Sequence, residues 1–175
     1  MKKSLYLLLI FLCMDGTAIA QDIPETGAYK TNTTMTGFHG NWQWVNGSDT
    51  VKLMLATKKL YYTVTGGFWW DALCGWYKYK KGNTVVVDNY YNAGNIEEPG
   101  MLSGGNQSDN ISVVVAFLQD IPKNKYGQVT LSLNAAQDRI TWKLEPTPGL
   151  KVHLPGSPPY SPGFTLPENM VLTKL

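Results

Sequence analysis

Residues 37–44, Gly37-Phe38-His39-Gly40-Asn41-Trp42-Gln43-Trp44, decide how the rest of the chain is read. Trp42 and Trp44 lie two positions apart, so on an extended strand they share one face. Asn46-Gly47 follows, a pair that accepts the positive φ values of a type I′ hairpin turn. Beyond it Val51, Leu53 and Leu55 alternate with Thr50, Lys52, Met54 and Ala56. That period of two marks one buried and one exposed sheet face. The stretch therefore reads as the first strand of a β-barrel, with Gly40, Trp42 and Trp44 as structural anchors.

The pattern repeats downstream. Leu60, Tyr62 and Val64 predict a third strand after Lys58-Lys59. Gly66-Gly67-Phe68-Trp69-Trp70-Asp71 interrupts the alternation and reads as a loop bearing aromatics. Trp76 to Lys80 resumes it, with Tyr77 and Tyr79 on one face, and Val85 and Val87 return after Lys81-Gly82-Asn83. Residues 88–110 are long and irregular, either a lid or rim element or a disordered insertion. Ile111, Val113, Val115 and Phe117 predict a strand, as do Val129, Leu131 and Leu133, and then Ile140, Trp142 and Leu144. Trp142 joins the structural anchors. Residues 146–167 are rich in proline, which lacks an N–H and is excluded from central strands. Met170 to Lys174 is again β-like and is expected to pair with the first strand. Eight or nine short strands without helical periodicity predict an all-β antiparallel meander, a closed or nearly closed β-barrel of lipocalin-like type.

Upstream, Lys2-Lys3, an apolar run over 4–14 and Ala18-Ile19-Ala20 form an export signal over residues 1–20, with Gln21 as the new N-terminus. The run is too short to span a bilayer, which takes about 20 apolar residues. Residues 21–36 read as an irregular N-terminal arm and 37–175 as a single barrel domain. Removing Lys2, Lys3 and Asp15 leaves 13 basic and 12 acidic residues, which gives no reason to expect a nucleic-acid partner. The mature chain is expected to be periplasmic or extracellular, without a transmembrane segment. Only Cys74 remains after processing, so no internal disulfide forms, and the thiol reads as a small buried hydrophobe.

Two resemblances follow from these residues. Gly40-Asn41-Trp42 resembles the Gly-x-Trp that opens lipocalin and other calycin barrels, where the Trp packs across the closed end. The leader, residues 38–44, Asp71-Ala72-Leu73-Cys74-Gly75-Trp76-Tyr77-Lys78-Tyr79 and Leu166 to Lys174 together resemble a domain-of-unknown-function family of small secreted proteins of the flavobacterial kind. That resemblance implies no activity and brings no functional residues.

The search for chemistry is negative. His39 and His153 are the only histidines and have no companions at metal-ligand spacing. Nucleophile-elbow, phosphate-loop and zinc-protease motifs are missing from the sequence. Asp71 with Glu97 or Glu98 is a possible glycosidase-like carboxylate pair, set against solvated loop acids. No catalytic residue, metal or cofactor is expected, and the protein reads as a non-enzyme.

The positive signal is aromatic, with six Trp and ten Tyr. Aromatic rings fill cores and also offer flat faces to ligands. The candidate ligand-binding residues are Phe68, Trp69, Trp70, Tyr62, Tyr77 and Tyr79. The first reading is a small apolar or amphipathic molecule in an aromatic-lined barrel cup. The alternative is an envelope interaction module stacking exposed rings, Trp69, Trp70 or Tyr90 and Tyr91 among them, on a glycan or a protein partner.

Overall fold

The computed structural model describes residues 25–63, 66–95, 97–103, 112–147 and 162–175. The expected leader, Val64, Ile111, His153 and the loop portions 104–110 and 148–161 lie outside the described residues. Ten strands run in chain order. They are β1 (Tyr29–Lys30), β2 (Gly40–Asn46), β3 (Asp49–Tyr62), β4 (Phe68–Lys81) and β5 (Thr84–Asp88), then β6 (Met101–Ser103), β7 (Val113–Asp120), β8 (Lys125–Leu133), β9 (Arg139–Pro146) and β10 (Asn169–Lys174).

Eight of them, β2, β3, β4, β6, β7, β8, β9 and β10, pair in sequence around a closed antiparallel barrel. β10 closes the ring by pairing with both β2 and β9, as the alternation over Met170–Lys174 predicts. β4 is the longest seam. One edge pairs with β3, and the other is shared in turn by β1, β6 and β5. Ser103 extends the short β6 seam, its hydroxyl accepting the Leu73 N–H at 2.8 Å.

The inward faces form one apolar cluster in which Trp42, Trp142, Tyr77, Phe38, Leu53 and Leu55 are fully buried. Each such side chain stabilises the fold by about 1.5–3 kcal/mol through burial. At the floor, a 3-10 helix over Thr33–Phe38 places Met35 and Phe38 against the core. The Trp42 indole N–H donates to the Phe38 carbonyl at 2.8 Å, tying the helix to β2. At the mouth, Leu166 and Phe164 pack onto the same cluster. Asp120, itself buried, accepts the Thr165 N–H at 2.7 Å, and the Lys123 ammonium donates to the Pro162 carbonyl at 2.7 Å.

The outward face of β4 is buried too, at Ala72, Cys74 and Trp76. A second 3-10 helix, Tyr90–Asn92, lies on this side, where the Tyr90 hydroxyl donates to Asn41 at 2.7 Å. Asn41, Met54 and Trp76 share one outward row. Asn89 continues the ladder beyond β5, exchanging hydrogen bonds with the Tyr77 backbone.

Several expectations change in detail. The β2–β3 turn residues are Gly47-Ser48, because Asn46 is still paired with Asp49. Only Gly47 takes positive φ there, which fits a type II′ turn instead of type I′. β3 does not break at Lys58-Lys59, so Leu60 and Tyr62 face away from the side that holds Val51, Leu53 and Leu55. Phe68, Trp69 and Trp70 are not a loop but the first residues of β4, paired with Tyr62, Tyr61 and Leu60. The arm is stitched in place by β1 and the floor helix, and the long 88–110 stretch contains β6.

Candidate functional site

β3 and β4 outrun the barrel. The β2–β3 ladder ends at the Gly40–Leu55 pair, while β3 continues to Tyr62 against β4 alone. The projecting hairpin keeps the parity of the strands below it. Its inward-type face therefore carries the cross-strand pairs Thr57–Leu73, Lys59–Asp71 and Tyr61–Trp69. β1 runs parallel to β4 and sets Tyr29 beside Trp69. Tyr29, Trp69 and Tyr61 thus form one row across three strands. All three lie in the open, at 46%, 38% and 48% exposure.

The Tyr61 and Trp69 ring centroids are 5.0 Å apart, within the range of favourable tilted aromatic pairs. The Tyr61 ring leans over Gly67, where a Cβ would run into its hydroxyl and φ is +75. Glycine takes that φ without strain. Behind the row, Asp71 accepts the Tyr29 hydroxyl at 2.7 Å and the Asn32 N–H at 2.9 Å. The hydrogen bond to the carboxylate raises the Tyr29 phenol above its usual pKa. The Lys59 ammonium sits 4.1 Å from the Tyr29 ring centroid and 4.9 Å from that of Trp69. Among the described residues Lys59 makes no ion pair, with Asp71 or any other acid.

The opposite face of the hairpin carries Tyr62, Phe68 and Trp70. Tyr62 lies 5.4 Å from Phe68 and 6.4 Å, edge-on, from Trp70. The six candidate residues therefore separate into two places. Phe68, Trp69, Trp70 and Tyr62 gather on the hairpin beside the barrel floor, two faces of one ribbon. Tyr77 and Tyr79 belong to the interior. Tyr77 donates to the Gln119 carbonyl at 2.6 Å, and burial pushes its phenol far up. Tyr79 reaches Asp49 at 3.3 Å and is also shifted up, by burial first. The anchors Trp42 and Trp142 are core residues, Trp44 packs against the core, and Gly40 has φ +123.

Where β3 leaves β2, His39 takes over its edge. The imidazole Nε2 accepts the Thr57 N–H at 3.1 Å and also contacts the Thr57 hydroxyl. Burial, with Lys174 second, lowers the His39 pKa. The acids considered for hydrolysis do not converge on this face. Asp71 is held by Tyr29 and Asn32, while Glu97 and Glu98 are exposed and Glu98 bonds Asn92 on the outer strap. Among the described residues no group of three or more His, Cys, Asp or Glu side chains is placed to hold a metal. The Cys74 thiol is buried and pushed up to about 11.

Tyr29, Tyr61 and Lys59 escape a reading of single strands. The Tyr29–Asp71 bond joins residues 42 positions apart. Parity alone places Lys59 and Tyr61 on the Val51 face, once β3 is taken as unbroken.

Residues 1–175 match a family described as a family of unknown function (DUF6705). The chain belongs to that family. No curated protein and no solved structure matches it.

Proposed function

We propose that this is an exported, non-enzymatic binding protein that holds its ligand against the aromatic row of the β3–β4 hairpin. The supporting observation is the exposed row Tyr29–Trp69–Tyr61, built on three strands and backed by Asp71 and Lys59. Binding surfaces use rigid aromatic anchors because they offer large contact area at low entropic cost. The hairpin continues two barrel strands and so holds its rings in place.

A second reading puts a small apolar or amphipathic ligand inside the barrel. The buried Trp142 indole N–H, unpartnered among the described residues, favours it. The apolar cluster on the inward strand faces and the side chains packed at floor and mouth favour the surface.

The test is a panel of immobilised glycans and of vesicles of zwitterionic or anionic lipid. A Trp69→Ala/Tyr61→Ala variant is compared with wild type and with Phe117→Ala, an exposed aromatic on β7. Affinity for whichever probe binds is expected to fall about tenfold or more in the hairpin variant alone. Equal binding by wild type and the hairpin variant refutes the proposal.

A further inference from the structure

We infer that the aromatic row is a cation cage, and that its ligand is a zwitterion carrying a quaternary ammonium group. The inference rests on reading the hairpin as the ligand surface and adds the chemical class.

The structure already holds a cation in this position. Lys59 lies over two ring faces, 4.1 Å and 4.9 Å from the centroids of Tyr29 and Trp69. Ring faces are electron-rich and attract cations within about 6 Å. Asp71 occupies the rung directly across from Lys59, yet the ammonium rests on the rings and forms no ion pair among the described residues. The carboxylate instead accepts the Tyr29 hydroxyl and leaves negative charge behind the cage. Such a site suits a positive group with an apolar surface.

Lys59 is a poor permanent occupant. A primary ammonium is strongly hydrated, whereas methyl groups around a quaternary nitrogen bury against rings at little hydration cost. Lys59 has a flexible stem and is exposed, so it can swing aside. Once displaced, its charge needs a partner. A phosphate or carboxylate attached near the quaternary nitrogen supplies one, and the exchange keeps the charge balance of the site. Free phosphocholine and a choline lipid headgroup share this chemistry.

Calorimetry on the full chain tests the cage with choline, phosphocholine and 3,3-dimethylbutanol, the neutral isostere of choline. Lys59→Met removes the internal occupant, and Lys59→Gln serves if that variant misfolds. Wild type is expected to prefer phosphocholine to choline. Lys59→Met is expected to bind choline about tenfold more tightly than wild type, and to lose the preference for phosphocholine. The neutral isostere is expected to bind at least about tenfold more weakly than choline. Sedimentation with phosphatidylcholine vesicles separates a headgroup ligand from a free one. The cation inference is overturned if Lys59→Met binds choline no better than wild type, or if the isostere binds as well as choline. Those results leave the hairpin reading intact as long as Trp69→Ala/Tyr61→Ala still weakens binding to a probe of the panel. A panel indifferent to the hairpin variant removes both.

Discussion

The barrel and its projecting hairpin are made from the same two strands and put their aromatic residues to opposite uses. Below the Gly40–Leu55 pair, β3 and β4 send Leu53, Leu55 and Tyr77 into a closed apolar cluster. Above it the same parity delivers Lys59, Tyr61, Asp71 and Trp69 to a face that no sheet opposes among the described residues. What differs is the neighbours. Within the barrel, inward means surrounded by seven other strands. On the hairpin, the described part of the N-terminal arm meets the face at Tyr29 and Asn32. A ring is thus core or surface according to how far along a strand it sits.

The largest expected contrast is between tryptophans of the two regions. Trp142→Ala should lower stability by about 3–5 kcal/mol, and Trp69→Ala by no more than about 1.5 kcal/mol, the worth of an aromatic pair. Urea unfolding measures both. Equal losses would make the hairpin part of the core.

Cys74 tests the covered outer face of β4. Its pKa rises from 9.0 to about 11, so thiolate near pH 8 falls about a hundredfold. Labelling by a thiol reagent should be slower in the native protein by at least that factor than in urea. Rapid labelling would mean that the strap over β4 opens readily.

A smaller effect is expected at the mouth. Asp120→Ala leaves the backbone N–H groups of Thr165 and Lys123 without their acceptor. A cost of about 1.5–3 kcal/mol is expected, with faster hydrogen exchange at Thr165. Unchanged exchange at Thr165 would show that Phe164 and Leu166 hold the segment unaided.

The smallest effect concerns the junction. Burial lowers the His39 pKa below 6.5 in the folded state, so the unfolded chain takes up the proton more readily. This contribution to stability is present above the unfolded value and is lost as pH falls through it, levelling off below the folded value. Urea midpoints at about pH 7.5 and about pH 5 should therefore differ more for wild type than for His39→Gln. An equal drop in both would detach His39 from the acid response.

The barrel was legible because period two survives wherever one face is buried. Val51-Leu53-Leu55, Val129-Leu131-Leu133 and Ile140-Trp142-Leu144 each announce an inward face. The hairpin was not. Gly66-Gly67 beside three consecutive aromatics has the composition of a loop, and alternation cannot show when both faces carry rings. β1 and β6 span two and three residues, too few to carry a period. The cage was hidden for another reason. Its parts come from β1, β3 and β4, and only the folded pairing brings them together.

The role of β10 has a consequence for the order of assembly. Among the described residues it is the sole link between β2 and β9, and it follows the other nine strands in the chain. Until residues 169–174 arrive, the sheet is open along both of those strands, and Trp42 and Trp142 cannot be sealed from water together. Closure therefore waits for β10 to dock between β2 and β9.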